Sequence, residues 1–344
     1  MVSKKWLSLA TLVVLLMVAA SCDAVPGDFN GDGKADLVYY DRSGHWYEVG
    51  SAPPFAVSAP IDLSGGSSYS VAGDYTGSLK WTAAELSGFA WTTSARNTPI
   101  IYDPPGMPTG PPSLPPGTPA AGAPTLIPVP ADYDGTGVGN GDGREVPAYF
   151  DQVDDSWWIM GHNGSVQFGT PPSTGGDLGY SVPVPGDYDG DGRTDIAVYE
   201  PRTATFRYLS SKTGHEVDVQ EGQPGDIPVP GAYDGRGITE PAVTDPNGAT
   251  WCVIGHPGAF ATFPTPSPGS YLPAEAPYGG GATTLPAVYD SVGNWTVHGQ
   301  TPVTIPSLDM PAVISPSILI NFPRLLFFAS NLASAADPPP SCAA

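Results

Sequence analysis

The apolar residues of this chain fall in short runs, and none of these runs has the period of a helix. The runs are four or five residues long, rich in Val, Ile, Tyr and Trp, and bounded by Gly, Pro, Asn and Asp. Branched and aromatic residues between turn-forming residues are typical of β-strands. No stretch keeps a 3.6-residue apolar period over the length that a helix needs. The pattern therefore predicts an all-β protein with many short strands.

One pattern recurs along the chain: an apolar residue at the end of a predicted strand is followed by a loop and then by a run of apolar residues. Sharp copies begin at Val25 and Val184, and weaker copies begin at Val71, Val129 and Val229. A sixth copy begins near residue 273, and the loops start at residues 28, 74, 132, 187, 232 and 276. Each copy also carries an aromatic residue 17 to 19 positions after its loop start, once a six-residue insert (136–141) in the third copy is set aside: Trp46, Trp91, Trp157, Phe206, Trp251 and Trp295.

The length of the repeat indicates the architecture. The loop starts are 46, 58, 55, 45 and 44 residues apart, and the two long steps contain the Pro-rich stretch 103–125 and the insert 136–141. About 45 residues is the length of one four-stranded propeller blade. We therefore predict a β-propeller over residues 25–300, with six blades, or seven if the N-terminal strand and the segment after 301 form another. Residues 301–344 are predicted to hold a closing strand and an apolar tail, with a membrane-associated tail as the alternative.

The first and fourth copies place oxygen-bearing side chains at positions 1, 3, 5 and 9 of their loops, with Gly at position 6. Hard oxygen ligands in a glycine-hinged loop suit calcium, and the backbone carbonyl at position 7 adds a further ligand. Close carboxylates without a cation would repel one another. We therefore predict two calcium sites, whose ligands are Asp28, Asn30, Asp32, Lys34 (carbonyl) and Asp36 in the first copy, and Asp187, Asp189, Asp191, Arg193 (carbonyl) and Asp195 in the fourth.

The other loops depart from this set. The third keeps Asp132 and Asp134, but its insert displaces Asp142, so it is a weaker candidate. The second keeps Asp74 and little else, and the sixth has no acidic loop. In the fifth, Arg236 stands where a ligand is expected, which predicts a salt bridge in place of the metal.

The fourth copy, Val-Pro-Gly-Asp-Tyr-Asp-Gly-Asp-Gly-Arg-Thr-Asp-Ile-Ala-Val-Tyr (184–199), resembles the FG-GAP/VCBS repeat family. Relatives in that family include the integrin α-subunit propeller and many bacterial exported proteins. The resemblance covers roughly residues 25–298. It implies a propeller that holds calcium in a β-hairpin loop of each intact blade, and it suggests adhesion or ligand binding.

Charge and the N-terminus limit the partners and the compartment. The chain has 34 Asp and Glu against 13 Lys and Arg, a net charge of −21, which argues against nucleic acid and anionic membranes. Residues 1–22 have the basic, apolar and small-residue segments of a secretory signal. Either Cys22 is acylated as in a lipoprotein, which would be the one membrane attachment, or cleavage occurs nearby. We expect a secreted, cell-surface or periplasmic protein, in which Cys252 and Cys342 are free thiols or one disulfide.

The remaining candidates have structural explanations. The recurring aromatics are predicted to be core, with a sugar-binding platform as the alternative. His162, His256 and His298 recur at one place and are predicted to be turn residues. No nucleophile elbow, zinc-protease pair or phosphate-binding loop occurs. We therefore predict a non-enzymatic, monomeric, calcium-stabilised binding or adhesion module for a glycan or cell-surface protein. An exported polysaccharide-acting enzyme with a carboxylate dyad in the channel and a purely structural envelope protein are the alternatives.

Overall fold

The computed structural model describes residues 25–40, 45–50, 57–63, 69–104, 126–134, 144–152, 154–170, 181–245, 249–264, 272–290, 294–304, 310–311 and 342. The predicted signal with Cys22, residues 105–125 and the candidate ligand Asp142 lie outside these ranges. The described residues form strands and no helix, which confirms the predicted all-β class. No segment in these ranges forms a helix long and apolar enough to cross a membrane.

The strands are short. The first twelve, in chain order, are β1 (Leu37–Tyr40), β2 (His45–Val49), β3 (Ile61–Asp62), β4 (Tyr69–Ser70), β5 (Ala84–Ser87), β6 (Ala90–Thr93), β7 (Ile100–Ile101), β8 (Leu126–Pro128), β9 (Ala148–Asp151), β10 (Ser156–Ile159), β11 (Ser165–Gln167) and β12 (Val182–Pro183). The others are β13 (Ile196–Glu200), β14 (Thr205–Leu209), β15 (Glu216–Gln220), β16 (Ile227–Pro228), β17 (Ala242–Thr244), β18 (Thr250–Val253), β19 (Ala261–Thr262), β20 (Leu272–Pro273), β21 (Ala287–Tyr289), β22 (Asn294–Val297), β23 (Val303–Thr304) and β24 (Met310–Pro311).

These strands form six antiparallel sheets of four strands each. Sheets 2 to 6 are each made of four consecutive strands, in the orders β4-β5-β6-β7, β8-β9-β10-β11, β12-β13-β14-β15, β16-β17-β18-β19 and β20-β21-β22-β23. Sheet 1 has the order β24-β1-β2-β3. The strand nearest the C-terminus therefore completes the first sheet, and within the described residues it does not start a seventh.

Strand β24 occupies the same place in sheet 1 that β12 occupies in sheet 4. Met310 and Pro311 pair with Tyr40 and Tyr39, just as Val182 and Pro183 pair with Tyr199 and Val198. An apolar residue followed by Pro likewise ends the first strand of sheet 3 and forms the first strand of sheets 5 and 6. Proline has no N–H to donate and is tolerated on edge strands, which these are.

Neighbouring units contact one another in one repeated register. In each unit a backbone N–H donates to the carbonyl of the residue that opens the preceding unit's loop, at 2.7–3.1 Å. The donor–acceptor pairs are Trp81–Asp28, Glu145–Asp74, Thr194–Asp132, Thr239–Asp187, Thr284–Ala232 and Ala35–Pro277. The last pair joins unit 1 to unit 6, so the contacts run in a closed circular order.

The recurring aromatic residues lie in the core. Trp46, Trp91, Trp157, Phe206, Trp251 and Trp295 are each at most 1% exposed. The adjacent Trp157 and Trp158 point to opposite faces of β10, and they pack in different clusters, between sheets 3 and 4 and between sheets 2 and 3. Each face of this sheet is thus covered by a neighbour. The core prediction is confirmed, and the alternative of a sugar platform on these rings is wrong.

Candidate metal-binding loops

A buried tyrosine fixes the register of the loops between the first and second strand of each unit. Its hydroxyl donates to the carbonyl four residues earlier, at 2.5–2.8 Å. The residues are Tyr75, Tyr133, Tyr188, Tyr233 and Tyr278, and Phe29 takes this place in unit 1. We number the loops by the residue before each aromatic: loop 1 (28–36), loop 2 (74–82), loop 3 (132–146), loop 4 (187–195), loop 5 (232–240) and loop 6 (277–285).

This register corrects the alignment of the sixth copy. The sequence places its loop start at Ala276, but the Tyr278 hydroxyl bonds to Ala274, so the equivalent residue is Pro277. Ala276 instead bridges Leu285, as Gly186 bridges Asp195 in unit 4. The error arose because loop 6 has no carboxylate to anchor the alignment.

Loop 4 brings three of its predicted ligands together. Asp187, Asp189 and Asp195 each offer an oxygen within 4.8 Å of the others. Asp187 opens the loop and accepts hydrogen bonds from the N–H groups of Gly190 (2.7 Å) and Gly192 (2.9 Å). Gly190 and Gly192 have φ of 73° and 83°, the left-handed region that favours glycine. Local sequence therefore dictates the bend that gathers the carboxylates.

The other two predicted ligands of loop 4 are the carboxylate of Asp191, which is half-buried, and the carbonyl of Arg193. Asp191 Oδ1 accepts bonds from the N–H of Arg193 at 2.9 Å and from the hydroxyl of Ser211 at 3.0 Å. Arg193 is exposed. Asp191 is not one of the trio Asp187, Asp189 and Asp195, but Ser211 links its side chain to Asp195 by donating to both carboxylates.

A second hairpin (210–215) closes over loop 4, and the sequence did not reveal it. The Ser211 N–H donates to Asp195 Oδ1 at 2.6 Å, and the Ser210 hydroxyl and Lys212 N–H donate to Asp189 Oδ2. The run of polar residues after strand β14 is the only signal in the sequence that could have pointed to this hairpin. The hairpin orients the carboxylates but brings no positive charge through these contacts, since its donors are hydroxyls and backbone N–H groups.

Burial acts on the loop 4 carboxyls. It raises the pKa of Asp195 to about 6, while the N–H groups of Ser211 and Tyr188 lower it and the charge of Asp189 raises it. Burial also raises the pKa of Asp187, against hydrogen bonds from three backbone N–H groups. A desolvated set of carboxylates favours a bound cation, because the cation offsets their repulsion. The all-oxygen donor set fits calcium.

Loop 1 has the same turn with a different third residue. Asp28 accepts the N–H groups of Gly31 (2.6 Å) and Gly33 (2.8 Å), as Asp187 does in loop 4. Asn30 replaces a carboxylate, and its Nδ2 donates to Asp36 Oδ1 at 2.5 Å. Asp32 Oδ1 accepts the N–H of Lys34 at 3.0 Å. Loop 1 therefore carries one charge fewer at the third position.

Glu48 adds a carboxylate to loop 1 that the sequence reading missed. Burial raises the pKa of Asp36 to about 7, and the charge of Glu48 is the next cause. Burial also raises the pKa of Glu48, with the charges of Asp28 and Asp32 adding to it and that of Lys80 lowering it. Glu48 lies on β2, opposite Val38 on the strand that follows the loop, so strand pairing rather than loop spacing brings it close.

The remaining loops keep the turn without the ligands. Asp74 of loop 2 accepts the N–H groups of Thr76, Ser78 and Leu79, at 3.0, 3.1 and 2.7 Å. In loop 5 the Arg236 guanidinium bonds to Asp234, which confirms the predicted salt bridge. Within loop 6, Pro277 stands at the first position and no acidic side chain follows.

Loop 3 recovers its register beyond the insert. Val146 bridges Ala131, as Asp195 bridges Gly186 in loop 4, so the insert adds length without shifting the strand. Asp132 and Asp134 flank the second-position tyrosine, but Val146 offers no oxygen side chain at the ninth position. The preceding Glu145 points at Gly73 of unit 2, whose added Cβ would lie 1.6 Å from Glu145 Oε2. Burial raises the pKa of Glu145 well above its ordinary value, and the charges of Asp74 and Asp132 add to it.

A second set of acids lies at the hairpin after the second strand in four of the described units: Asp151, Glu200, Asp245 and Asp290. In the sequence Asp41 holds the corresponding position of unit 1, and it is outside the described residues. Asp245 and Asp290 accept N–H groups of their own hairpins, at 2.6 and 2.8 Å, so these two cap turns.

Asp155 is a different case. It is 2% exposed with φ of 56°, and among the residues that the structure describes neither of its carboxyl oxygens has a hydrogen-bond partner. Burial raises its pKa to about 7, and the charge of Glu200 adds to this.

Two further predictions are settled by the structure. Cys252 and Cys342 form a disulfide with Cα atoms 5.2 Å apart, which decides the alternative that the sequence left open. His162, His256 and His298 follow the third strands of their units in turns, as predicted; His162 and His298 are exposed and His256 is half-buried. The nearest acidic group to His256 Nε2 is Glu240, at 3.9 Å.

Comparison with known proteins finds only a weak structural similarity. No family model and no curated protein matches the sequence. Among solved structures, the crystal structure of BBS1N in complex with ARL6DN soaked with lead is similar, with a TM-score of 0.43 at 15% identity over 86% of each chain. The same complex soaked with mercury gives 0.40 at 14% identity, over 84% of this chain and 85% of that one. These TM-scores are too low to carry any property from BBS1N to this chain.

Proposed function

We propose that this chain is an exported, calcium-stabilised six-bladed β-propeller of the FG-GAP/VCBS type that serves as a binding or adhesion module. The six sheets would be the blades. The circular order of inter-unit hydrogen bonds supports this, because only a closed ring of units lets unit 1 bond to unit 6 in the register used by the other five pairs. Pairing of β24 with β1 would join the two ends of the propeller in one sheet, so that the ring closes.

The observation that carries the calcium assignment is the loop 4 trio. Three carboxylates offer oxygens within 4.8 Å of one another, and burial makes their shared negative charge costly. A divalent cation with oxygen ligands would remove that cost and hold the loop to the hairpin 210–215. Calcium in this proposal stabilises the fold and takes no part in chemistry.

The binding role rests on how the units differ. Their strands and core aromatics repeat, whereas the loops between strands vary in length and chemistry, and such loops on a rigid scaffold are where ligands bind. Export is proposed from the N-terminal signal, and the disulfide is in keeping with an oxidising compartment. The ligand is proposed to be a glycan or a cell-surface protein.

The alternative of a polysaccharide-acting enzyme needs an accessible acid with a raised pKa, and Asp155 is not accessible. Asp155 has the raised pKa that a general acid needs, and its charged neighbours include Glu200 and Asp151. However, Asp155 is 2% exposed, so a polysaccharide could not reach it without a large rearrangement. A binding module therefore accounts for these carboxyls better than a dyad does.

Thermal melts test the calcium proposal. The mature chain and the double variant Asp187→Ala/Asp191→Ala would be melted in calcium and in chelator. We expect the chelator to lower the Tm of the wild type and to leave the variant unchanged. Equal melts of the wild type in both buffers would remove calcium from the account.

Glycan arrays and turnover assays on the same glycans test the module. Retained glycan without cleavage supports binding. Cleavage that is lost in Glu200→Gln would favour the enzyme.

A further inference from the structure

Loops 1, 4, 5 and 6 are each covered by one residue of the next unit, in a fixed register. The glycine at the fourth position of a loop faces the seventh loop residue of the unit that follows. A Cβ added to Gly31 would lie 3.7 Å from Lys80 Cδ, and one added to Gly190 would lie 2.9 Å from Ile238 Cδ1. The same holds for Gly235 with Thr283, at 2.6 Å, and for Gly280 with Lys34, at 3.3 Å.

The covering residue differs between the two predicted calcium loops. The seventh positions are Lys34, Lys80, Arg144, Arg193, Ile238 and Thr283. Loop 1 is therefore covered by a lysine, and loop 4 by an isoleucine. Loop 4 is the fully acidic loop, and its neighbour across the unit boundary brings an apolar side chain.

Resting on the proposed function, we infer that the covering residue sets how strongly a loop binds a divalent cation. Lys80 supplies loop 1 with an internal positive charge and weakens its calcium site, whereas Ile238 leaves the loop 4 carboxylates to an external ion. Loop 4 is thus the strong site and loop 1 the weak one.

Two further contacts support this order. The backbone holds both covering residues in place, because the N–H of the residue after Lys80 donates to the Asp28 carbonyl at 2.8 Å and that of the residue after Ile238 donates to the Asp187 carbonyl at 2.7 Å. In addition, the third position holds the amide of Asn30 in loop 1 and the carboxylate of Asp189 in loop 4, so loop 1 lacks an anionic ligand at a position where loop 4 has one. A lysine on a flexible stem is a point charge that competes with a cation for the same carboxylates.

Calcium titration of the mature chain by calorimetry tests the inference. The wild type is expected to show one strong and one weak site. Lys80→Gln is expected to strengthen the weak site about tenfold, and Ile238→Lys to weaken the strong site about tenfold, as one added or removed charge at short range does. Thr283→Lys is the matched control: it places the same charge over loop 5, which has no predicted site, and both affinities should stay within about twofold.

The outcomes separate this inference from the calcium proposal itself. Two sites of equal affinity that respond to neither substitution would overturn the inference and leave the calcium proposal standing. No calcium binding in any variant would overturn both. Asp187→Ala assigns the strong site, because it should remove that site alone. If Ile238→Lys, at a half-buried position, fails to fold, Lys80→Gln at an exposed position decides the matter.

Discussion

Loops 4 and 5 belong to consecutive units and follow the same backbone path, yet the negative charge of their acidic side chains is offset in different ways. In both, the second-position tyrosine bonds to the carbonyl four residues back. The ninth-position acid of each accepts a backbone N–H from the first half of its loop: Asp195 from Tyr188, and Glu240 from Asp234. The same hydrogen bonds therefore define the turn in both loops.

The difference lies at the fifth position. Loop 4 has Asp191 there, in a loop with four carboxylates, whereas loop 5 has Arg236 paired with Asp234. The Arg236 guanidinium offsets the negative charge of loop 5 without an ion from solution, whereas loop 4 would depend on a bound ion. The comparison teaches that the repeat preserves a bend and that charge at single positions decides what holds it.

The largest effect should come from a bond that is independent of either loop. The disulfide joins Cys252 on β18 to Cys342 across 90 residues, and Cys342 packs against the core of sheets 4 and 5. Removing it with Cys342→Ser should lower the free energy of unfolding by about 4 kcal/mol, because the unfolded chain gains entropy. Chemical denaturation in calcium and in chelator should show the same loss. A loss confined to chelator would mean that the disulfide acts through loop 4.

A single substitution can give loop 4 the internal salt bridge of loop 5. Asp191→Arg places a guanidinium two residues after Asp189, the spacing of Arg236 and Asp234. We expect it to abolish the calcium-dependent part of stability, about 2–3 kcal/mol at a hundredfold excess of calcium over Kd. In chelator the variant should be at least as stable as the wild type. Asp103→Arg, with the same charge change at an exposed site, should keep the full calcium response.

Asp155 shows what a buried carboxyl costs when it lacks donors. The equivalent hairpin residue of unit 4 is Ala204, with φ of 51°, so alanine is accepted in this backbone conformation. Asp155→Ala should therefore raise the free energy of unfolding by about 1–2 kcal/mol at pH 8.

The pH dependence gives the sign of the Asp155 effect. Its pKa is raised from the ordinary 3.8 to about 7, so the folded state loses stability as pH rises between these values. The gain from Asp155→Ala should accordingly shrink towards zero near pH 4 in urea titrations. A gain that is constant with pH would point to packing rather than ionisation.

The smallest effect is the reverse conversion, from loop 5 to loop 4. Ala232→Asp with Arg236→Asp restores carboxylates at positions 1, 3 and 5, while the longer Glu240 remains at position 9. We expect a new calcium-dependent gain of about 0.4 kcal/mol at calcium equal to Kd, seen as a rise in Tm. Arg236→Ala alone should show no response to calcium. A response from this single variant would contradict the role given to the carboxylates.

Sequence periodicity carried most of the fold. The six copies, the strand class and the core aromatics followed from local pattern, since residues within one unit decide strands and turns. The fifth-loop salt bridge was also predictable, because Asp234 and Arg236 are two residues apart. The register of unit 6 was not, because loop 6 carries no acid and only the Tyr278 hydroxyl reveals its start.

Local residues by themselves thus determined the repeat, the acidic bends and the residue types that favour a cation. Tertiary structure alone decided which residues of the predicted closing segment pair with sheet 1, that Cys252 meets Cys342, and that Glu48 and Lys80 lie beside loop 1 whereas Ile238 covers loop 4. The reason is physical. A bend is set by backbone conformations a few residues apart, whereas the charge around it depends on side chains that arrive from another strand or unit.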